Sequence, residues 1–446
     1  MPINNNDIAD VLVIGAGASS AAFCWSLSQA GINVVCLEQG GWLPQNAFPT
    51  SDADAQLHLQ TDFNFNPNVR KLPEDYPINE SETPIAPLMW NGVGGGTIHW
   101  GSHIPRFHPS DFLLKTQDGV ADDWPLTYEE LEPYYDLNDR MTGVSGLNGD
   151  PAYPPKPERP CPPLSIRASG KALAKGFDKL GWHWWSSDSA ISSVTYDGRE
   201  PDAVGHLRSS AGADLNYWPK AVNQGTRLIT YARVREISVD RSGKATGALY
   251  YDREGNLQEQ RAKVVVMAAN GIGTTRLLLN SKSVLFPNGL ANSSGLVGKN
   301  LMHHPTGVIL GIFDEWLGTD EGARGSSMLS QEFYETDLNR EFVRGYEMQI
   351  LSQGSAPLTA ALGGSQGERV SWGAGHHREF QERFGHIAGI IIMTEDLPED
   401  LGQYHYEGRP LMRMTGEQIW DSFVALAIED PDERKGHGSR FTTDPE

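Results

Sequence analysis

A chain of 446 residues is longer than one hydrophobic core usually serves, so its length predicts two domains. Apolar residues make up 39% of the chain, yet no run reaches the roughly 18 apolar residues of a membrane helix, and the net charge of −21 repels nucleic-acid phosphates. We therefore expect neither a membrane span nor a nucleic-acid partner.

Cysteine usage and the N-terminus limit the chain further. The cysteines, Cys24, Cys36 and Cys161, are too few for a disulfide framework or a Cys-based zinc site. The first ten residues have neither the basic start nor the apolar core of a signal peptide. We expect a cytoplasmic protein without a metal centre, whose partners are small molecules or proteins.

Residues 10–40 predict a βαβ unit. A buried strand over 10–14 leads into a glycine turn, a helix with small residues on one face, and a second strand over 33–37. Gly31 is placed to end the helix. Such a connection predicts a parallel sheet with a right-handed crossover.

The next part of the chain alternates loops with single helices. Residues 41–90 have little periodicity and predict a long surface excursion. A Thr127 cap with Glu130 predicts a helix start, and seven prolines within 151–163 predict an irregular linker or loop. Helical spacing returns at 168–180.

The remaining patterns are mostly those of strands. Alternation from Leu228 to Ser238, a turn at Ser242 and Gly243, and a return through 247–251 predict a meander. A buried apolar run over 264–269 follows. Short β-like runs at 307–313 and 387–393, separated by a glycine-rich stretch at 353–375, predict an antiparallel sheet.

The first glycine motif predicts a dinucleotide site. Gly15 permits the tight turn, Gly17 leaves room for a pyrophosphate, and the helix N-terminus at Ala18 and Ser19 directs N–H groups at phosphates. Glu38 ends the second strand, where its carboxylate can accept hydrogen bonds from ribose hydroxyls. This motif alone is compatible with NAD or FAD.

A second glycine cluster at 91–101 favours FAD. It is too rich in glycine for a helix or strand, and it ends in the aromatic run Ile98, His99, Trp100. Backbone that approaches a flat ligand explains such density, so the cluster predicts a flavin cradle. The strand at 264–269, which ends near Gly271 and Gly273, is expected to return to the first sheet and to close over the adenosine.

These motifs resemble the glucose-methanol-choline (GMC) flavoprotein oxidoreductases, in particular bacterial gluconate and sugar dehydrogenase flavoprotein subunits. The resemblance covers about residues 8–310 and rests on VLVIGAGASSAAF, NGVGGGTIHWGSHIPRFHPSDF, WPLTYEELEPYYD, YWPKA with RLITYARVREISVD, VVVMAANGIGTTRLLLNS and NSSGLVGKNLMHHP. It implies bound FAD and oxidation of an alcohol, with hydride transfer to flavin and a histidine that removes the hydroxyl proton.

Site residues follow from the matching motifs. The resemblance implies that Gly15, Gly17 and Glu38 contact the ADP half, that the Gly94 to Thr97 stretch contacts the pyrophosphate and flavin edge, and that the Val234 backbone contacts adenine. The full predicted cofactor set is Gly15, Gly17, Ala18, Ser19, Glu38, Gly94, Gly95, Gly96, Thr97, His99, Trp100, Gly101, Val234, Ala269 and Gly271. His99 either carries a covalent bond to the flavin, as in some members, or packs beside the ring.

The catalytic residues are not assigned. The C-terminal histidine motif of the family is not recognisable in residues 1–446, and His437 is only a faint echo of it, so we expect a truncated or divergent end and poor turnover. Arg106 and His108 either reach the substrate or pair with acids, and we favour the pairing; His303 and His304 are expected to pack structurally.

The resulting fold class is α/β, with a Rossmann-type FAD-binding domain and a mostly antiparallel β-sheet substrate domain. The predicted bounds are 1–110 with 215–305 for the first and 111–214 with 306–446, incomplete at its end, for the second. The predicted partners are an alcohol or sugar substrate and an electron acceptor that is a protein or a quinone. Two alternatives stay open: a flavin-binding fragment or partner subunit without turnover, and an NAD-dependent Rossmann dehydrogenase.

Overall fold

A computed structural model describes residues 7–44, 47, 61–79, 88–197, 211–302, 304–318, 326–340, 342–351 and 371–395, with the strand residues 405–406 and 409–410. The predictions for His303, His437 and most of the stretch 353–375 lie outside these residues. Within them, no helix has both the length and the apolar character needed to cross a membrane.

The described helices are α1 (Ala18–Gln29), α2 (Pro67–Arg70), α3 (Leu114–Asp118), α4 (Tyr128–Thr142), α5 (Arg167–Leu180), α6 (Tyr217–Asn223), α7 (Asn270–Asn280) and α8 (Ala374–Arg383), with 3-10 helices at Gly95–Ile98 and Pro109–Leu113. The strands are β1 (Ile8–Ile14), β2 (Val34–Leu37), β3 (Trp185–Ser186), β4 (Arg227–Ile229), β5 (Arg233–Val239), β6 (Ala245–Tyr251), β7 (Leu257–Met267), β8 (Thr306–Ile312), β9 (Ser326–Ser330), β10 (Tyr346–Leu351), β11 (Ile387–Thr394), β12 (His405–Tyr406) and β13 (Arg409–Pro410).

The chain divides into two compact units. The first unit comprises Met1–Thr50, Asp54–Trp100 and Ser210–Leu301, and the second comprises Ser51–Ala53, Gly101–Ser209 and Met302–Glu446. Each unit contains one of the two larger sheets described below.

The first unit is built on a six-stranded sheet in the order β4-β2-β1-β7-β6-β5. Strand β1 pairs in parallel with β2 and β7, and β2 pairs in parallel with β4. Leu12, Ile14 and Leu37 point to one face and form its core with residues of β5 and β6. The predicted βαβ unit with a parallel sheet is confirmed, and the ends of β1, β2 and β7 meet at one edge.

The predicted meander is wrong in its first part. Leu228 belongs to β4, which pairs in parallel with β2, whereas β5, β6 and β7 form the antiparallel meander. Tyr231, with a φ of 55°, separates β4 from β5. The turn lets Ala232 donate a hydrogen bond to the Glu38 carbonyl at 2.8 Å, so one apparent alternation contains two strands. The run predicted as buried at 264–269 is also partly open, since Val264 is 52% exposed.

The second unit contains a five-stranded antiparallel sheet in the order β3-β9-β10-β11-β8. Phe177 of α5 packs with Ile309, Met328 and Ile350 on one face of this sheet. The predicted helix start before α4 is confirmed, since Thr127 and Glu130 exchange both hydrogen bonds of a capping box. The sequence reading missed α8.

Buried ion pairs hold the proline-rich segment of the second unit. This segment is irregular, as predicted, but Arg159 pairs with Asp139 and Asp188 at 3.0 Å each. Arg106 also pairs with Asp139, and His108 pairs with Glu335, which confirms the structural interpretation of both residues. These ion pairs act together with backbone hydrogen bonds at Cys161, which donates to the Val144 carbonyl at 3.0 Å and accepts from Gly146 N–H at 3.2 Å.

Candidate cofactor-binding site

A cleft of about 560 Å³ opens at the edge of the first-unit sheet. Its walls come from the end of β1, the start of α1, the end of β2, part of β5, the end of β7 and the start of α7, together with residues 88–91, Gly95 and Gly96. This volume lies within the range of small-molecule and cofactor sites. Its place at the carboxyl ends of parallel strands is where open α/β sheets bind ligands.

Gly15 makes the turn between β1 and α1 possible. Its φ is +97°, and a Cβ at this position would lie 2.5 Å from the Ala268 carbonyl oxygen. The Gly15 N–H donates to the Leu37 carbonyl at 2.8 Å, which ties the turn to β2. Any side chain would therefore both strain the backbone and collide with the strand end beside it.

Gly17 and Gly96 have a different reason to lack a side chain. Both line the cleft, and a Cβ at either position would meet no protein atom within 4 Å. The space that their missing side chains leave is therefore open cleft, beside the N-terminus of the 12-residue α1. An anionic group fits here because the first N–H groups of a helix have no partners within the helix.

Ser20 replaces the third glycine of the usual fingerprint without loss of packing. Its side chain is buried, and its hydroxyl donates to the Gly17 carbonyl at 2.8 Å. The local turn thus satisfies the extra polar group.

The second glycine motif packs directly on the first. Gly94 donates to the Ala16 carbonyl at 2.8 Å, and a Cβ on Gly95 would lie 2.9 Å from the Gly17 Cα. The fully buried Trp218 of α6 donates its indole N–H to the same Ala16 carbonyl at 3.0 Å. The two motifs therefore form one backbone cradle, and the sequence reading missed the contribution of Trp218.

Glu38 is 6% exposed and lies in the cleft wall. Its carboxylate accepts hydrogen bonds from Ala16 N–H at 2.7 Å and from Gly40 N–H at 2.9 Å. Burial raises the pKa of the carboxyl, and these backbone donors partly offset the increase. A carboxylate has about four acceptor sites, so Glu38 can still accept hydrogen bonds from ribose hydroxyls in addition to those from the two N–H groups.

The predicted cofactor residues divide into two groups by position. Those that line the cleft are Gly15, Gly17, Ala18, Ser19, Glu38, Gly95, Gly96, Val234 and Ala269. Those outside its lining are Gly94, Thr97, His99, Trp100, Gly101 and Gly271. Thr97 instead links the second glycine motif to Ala213, since its hydroxyl donates to the Gly94 carbonyl at 2.6 Å and accepts from Ala213 N–H at 2.9 Å.

His99 lies among aromatic side chains. Its ring centroid is 4.5 Å from that of Trp90, 4.8 Å from that of Phe65 and 5.8 Å from that of Phe63. Trp90 lines the cleft, and so connects this cluster to its wall. Both alternatives for His99, a covalent bond to the flavin and packing beside its ring, stay predictions.

Arg276 and Tyr76 form a pair that sequence reasoning missed. Both line the cleft, and the Arg276 guanidinium carbon lies 4.4 Å from the centre of the Tyr76 ring. Among the described residues that line the cleft, the charged side chains are Glu38 and Arg276. In a chain with a net charge of −21, Arg276 therefore supplies a positive charge beside the place expected for an anionic ligand.

Known proteins with similar sequences share the region that carries this cleft. The sequence profile described as "GMC oxidoreductase" matches residues 12–306. The chain is 43% identical over 405 residues to 2-methyl-1,2-propanediol dehydrogenase of Mycolicibacterium austroafricanum, a match that covers 88% of this chain and 72% of that protein. It is 32% identical to the fructose dehydrogenase large subunit of Gluconobacter japonicus, over 67% of this chain and 58% of that subunit.

Solved structures share the fold at lower sequence identity. Pyridoxine 4-oxidase from "Mesorbium loti" superposes with a TM-score of 0.55 at 15% identity, covering 86% of this chain and 71% of that one. Formate oxidase of Aspergillus oryzae superposes with a TM-score of 0.57 at 13% identity, covering 95% and 80%. The chain thus spans about three fifths of the fructose dehydrogenase subunit and about seven tenths of the diol dehydrogenase. The chain belongs to the GMC oxidoreductase family, and is an FAD-dependent oxidoreductase of the kind that acts on CH–OH groups of alcohols and sugars.

Proposed function

We propose that the first-unit cleft holds FAD and that the protein oxidises a CH–OH group of a small polyol or sugar. The observation that carries this proposal is the cradle of two glycine motifs, with Gly17 and Gly96 open to the cleft and Glu38 in its wall. An adenine dinucleotide has a pyrophosphate and a ribose to match these two features.

The proposed contacts assign one part of the cofactor to each part of the cleft. The N–H groups at the start of α1 bind the pyrophosphate, Glu38 binds ribose hydroxyls, and the Val234 backbone contacts adenine. Residues of the Gly94 to Gly101 stretch support the flavin end. Bound FAD supplies an acceptor for the hydride that leaves the carbinol carbon.

The substrate class is proposed from the relatives. The two relatives described above are named for a branched vicinal diol and for a ketose, which share hydroxylated carbons. We propose that this chain accepts a small diol or sugar, and that a protein or a quinone takes the electrons afterwards. We also propose that the two domains have the bounds 1–110 with 215–305 and 111–214 with 306–446. A cytoplasmic location is a further part of the proposal, and the three buried free cysteines favour it.

The purified protein is expected to be yellow. Flavin absorbs at about 450 nm, whereas NADH does not, so an absorption spectrum separates the FAD proposal from the NAD-dependent alternative. Anaerobic mixing with 2-methyl-1,2-propanediol, fructose and gluconate is expected to bleach that band. A colourless protein that binds NADH would overturn the cofactor assignment.

A second candidate function is flavin binding without turnover. The same anaerobic experiment decides between the two, because a yellow protein that dithionite bleaches and no alcohol bleaches would support the second candidate.

Replacing Arg276 with alanine is expected to weaken FAD binding about 3- to 30-fold, the range of a cation that stacks on an aromatic face. The guanidinium lies in the cleft wall over Tyr76, where it can stack on adenine or attract the phosphates. Titration of the apoprotein with FAD, followed by flavin fluorescence, measures the change. A parallel titration with FMN, which has no adenine or pyrophosphate, is expected to show less difference.

Arg253→Ala provides the matched control for this substitution. Arg253 stacks on Tyr231 at 4.2 Å in the same unit but is not part of the cleft lining. Equal losses in both variants would mean that Arg276 acts only on the stability of the unit.

A further inference from the structure

Ala16, between the two glycines of the first motif, has both of its peptide groups fixed by hydrogen bonds. Its N–H donates to Glu38 Oε2 at 2.7 Å. Its carbonyl accepts from Gly94 N–H at 2.8 Å and from the Trp218 indole N–H at 3.0 Å. A carbonyl oxygen has two lone pairs, so both are used within the protein. Trp218 is the partner that belongs to neither glycine motif.

Trp218 is tied to the second glycine motif by a closed ring of hydrogen bonds. Its backbone N–H donates to the Ala213 carbonyl at 3.0 Å, and Ala213 N–H donates to the Thr97 hydroxyl at 2.9 Å. That hydroxyl donates to the Gly94 carbonyl at 2.6 Å, and Gly94 N–H donates in turn to Ala16. Because the indole is also fully buried, it is held in place beside the Ala16 carbonyl.

The Ala16 carbonyl shares one planar peptide group with the Gly17 N–H. In a trans peptide the C=O and N–H bonds point in opposite directions, and the peptide bonds of the described residues are trans. The two donors on the carbonyl therefore also set the direction of the Gly17 N–H, which points away from Trp218. Gly17 lines the cleft, whereas Trp218 lies outside its lining.

The two helices that begin at the cleft differ at their N-termini. At the start of α7, Asn270 Oδ1 accepts from Gly273 N–H at 2.8 Å, and the Thr274 hydroxyl accepts from Ala269 N–H at 3.2 Å. At the start of α1, no side chain of the described residues makes a capping hydrogen bond. The N–H groups beside Gly17 therefore remain available to a ligand, and their directions affect how well it binds.

We propose that Trp218 is a positioning residue for the cofactor pyrophosphate, which it aligns through the Ala16–Gly17 peptide without contacting the ligand. This proposal rests on the proposed function and deepens it, since it names a residue outside the cleft that prepares the anion-binding end. Without the indole N–H, Gly94 alone holds the Ala16 carbonyl, and the peptide gains freedom that binding must remove. A peptide that is ordered before the ligand arrives binds more tightly for this reason.

Trp218→Phe removes the donor and keeps an aromatic ring in the core. The measurement is calorimetric titration with ADP, which carries the pyrophosphate, ribose and adenine of FAD. The apoprotein comes from riboflavin-depleted cells, so that no covalent flavin has formed. The affinity for ADP is expected to fall about 3- to 10-fold, the range of one lost hydrogen bond. Adenosine, which has no phosphate, is expected to bind with nearly the wild-type affinity.

Trp25→Phe provides the matched control. Trp25 lies on α1, and its ring packs edge-on against Tyr217, the neighbour of Trp218 on α6, with ring centroids 5.6 Å apart. This substitution alters the same helix pair without removing a hydrogen bond to Ala16. It is expected to keep the wild-type affinity for ADP, while the melting temperatures of both apoproteins report any loss of packing.

Thr97→Val tests the same ring of hydrogen bonds from its other side and serves where Trp218→Phe does not fold. Valine has nearly the shape of threonine but cannot bond to Gly94 or Ala213. The affinity for ADP is expected to fall in the same direction, by about 2- to 5-fold, because the ring that holds Trp218 is opened.

The outcomes separate this proposal from the proposed function. Wild-type ADP affinity in the folded Trp218→Phe or Thr97→Val variant overturns the positioning role. Equal losses in Trp218→Phe and Trp25→Phe, or equal losses for ADP and adenosine, also overturn it, because they indicate a general loosening of the unit. A yellow wild-type protein with any of these results retains the proposed function without the positioning role. A colourless wild-type protein that binds no ADP rejects the cofactor assignment and the positioning role together.

Discussion

Gly17→Val is expected to remove FAD from the protein while the apoprotein stays folded. No protein atom lies within 4 Å of a Cβ at this position, and the φ of −77° suits any residue, so the new side chain does not disturb the unit itself. It enters the cleft at the start of α1, where the pyrophosphate is expected. Crowding of this kind costs about 1–3 kcal/mol, which corresponds to about 5- to 150-fold in affinity.

The graded substitution Gly17→Ala serves as the comparison for valine. One methyl group fills less of the cleft, so an intermediate loss of FAD is expected. Flavin content after gel filtration and FAD titration of the apoprotein measure both variants, and thermal unfolding of the apoproteins reports their stability. Wild-type flavin content in Gly17→Val would show that the first glycine motif is only structural.

Arg344→Met is expected to destabilise the second unit strongly. Arg344 is 1% exposed and contacts Asp111, Glu395 at 3.0 Å and Asp118 at 3.5 Å. Removing the cation leaves carboxylates in a buried environment without their partner, and such a loss costs about 3–5 kcal/mol. Urea unfolding followed by tryptophan fluorescence is expected to show an earlier transition for this variant.

The exposed Arg378 provides the control. It pairs with Glu382 at 3.7 Å on the surface of α8, with 75% of the Arg378 side chain exposed. Surface ion pairs contribute little, so Arg378→Met is expected to unfold at nearly the wild-type urea concentration. A similar shift in both variants would mean that the buried pairing of Arg344 has no special weight.

Local patterns predicted the elements that depend on neighbouring residues. The turn at Gly15, the capping box of α4 and the strands β8 and β11 follow from backbone sterics, short-range hydrogen bonds and alternation, all of which are properties of a few consecutive residues. The same approach failed at β4, because alternation is identical for a parallel edge strand and for the first strand of a meander.

Part of the cleft lining could be predicted for the same reason, while the contacts of these residues with the cofactor stay a prediction. Glycines and an acid at set distances from a strand are visible in the sequence, and Gly15, Gly17, Glu38 and Gly96 do line one cleft. Trp218 was missed although it donates to Ala16, because the two residues are separated by about 200 positions and no local pattern joins them.

The sequence alone determined the family, the α/β class and the glycine turn between β1 and α1, since each depends on residue types at short spacing. Only the tertiary structure decided which residues meet: Arg276 with Tyr76 in the cleft wall, Arg344 with its carboxylates, and His103 Nε2 with Glu347 Oε1 at 3.7 Å. These pairs join segments that are far apart in the chain, and their chemistry depends on burial and on distances of a few ångströms. Chain folding sets both quantities, and residue spacing does not encode them.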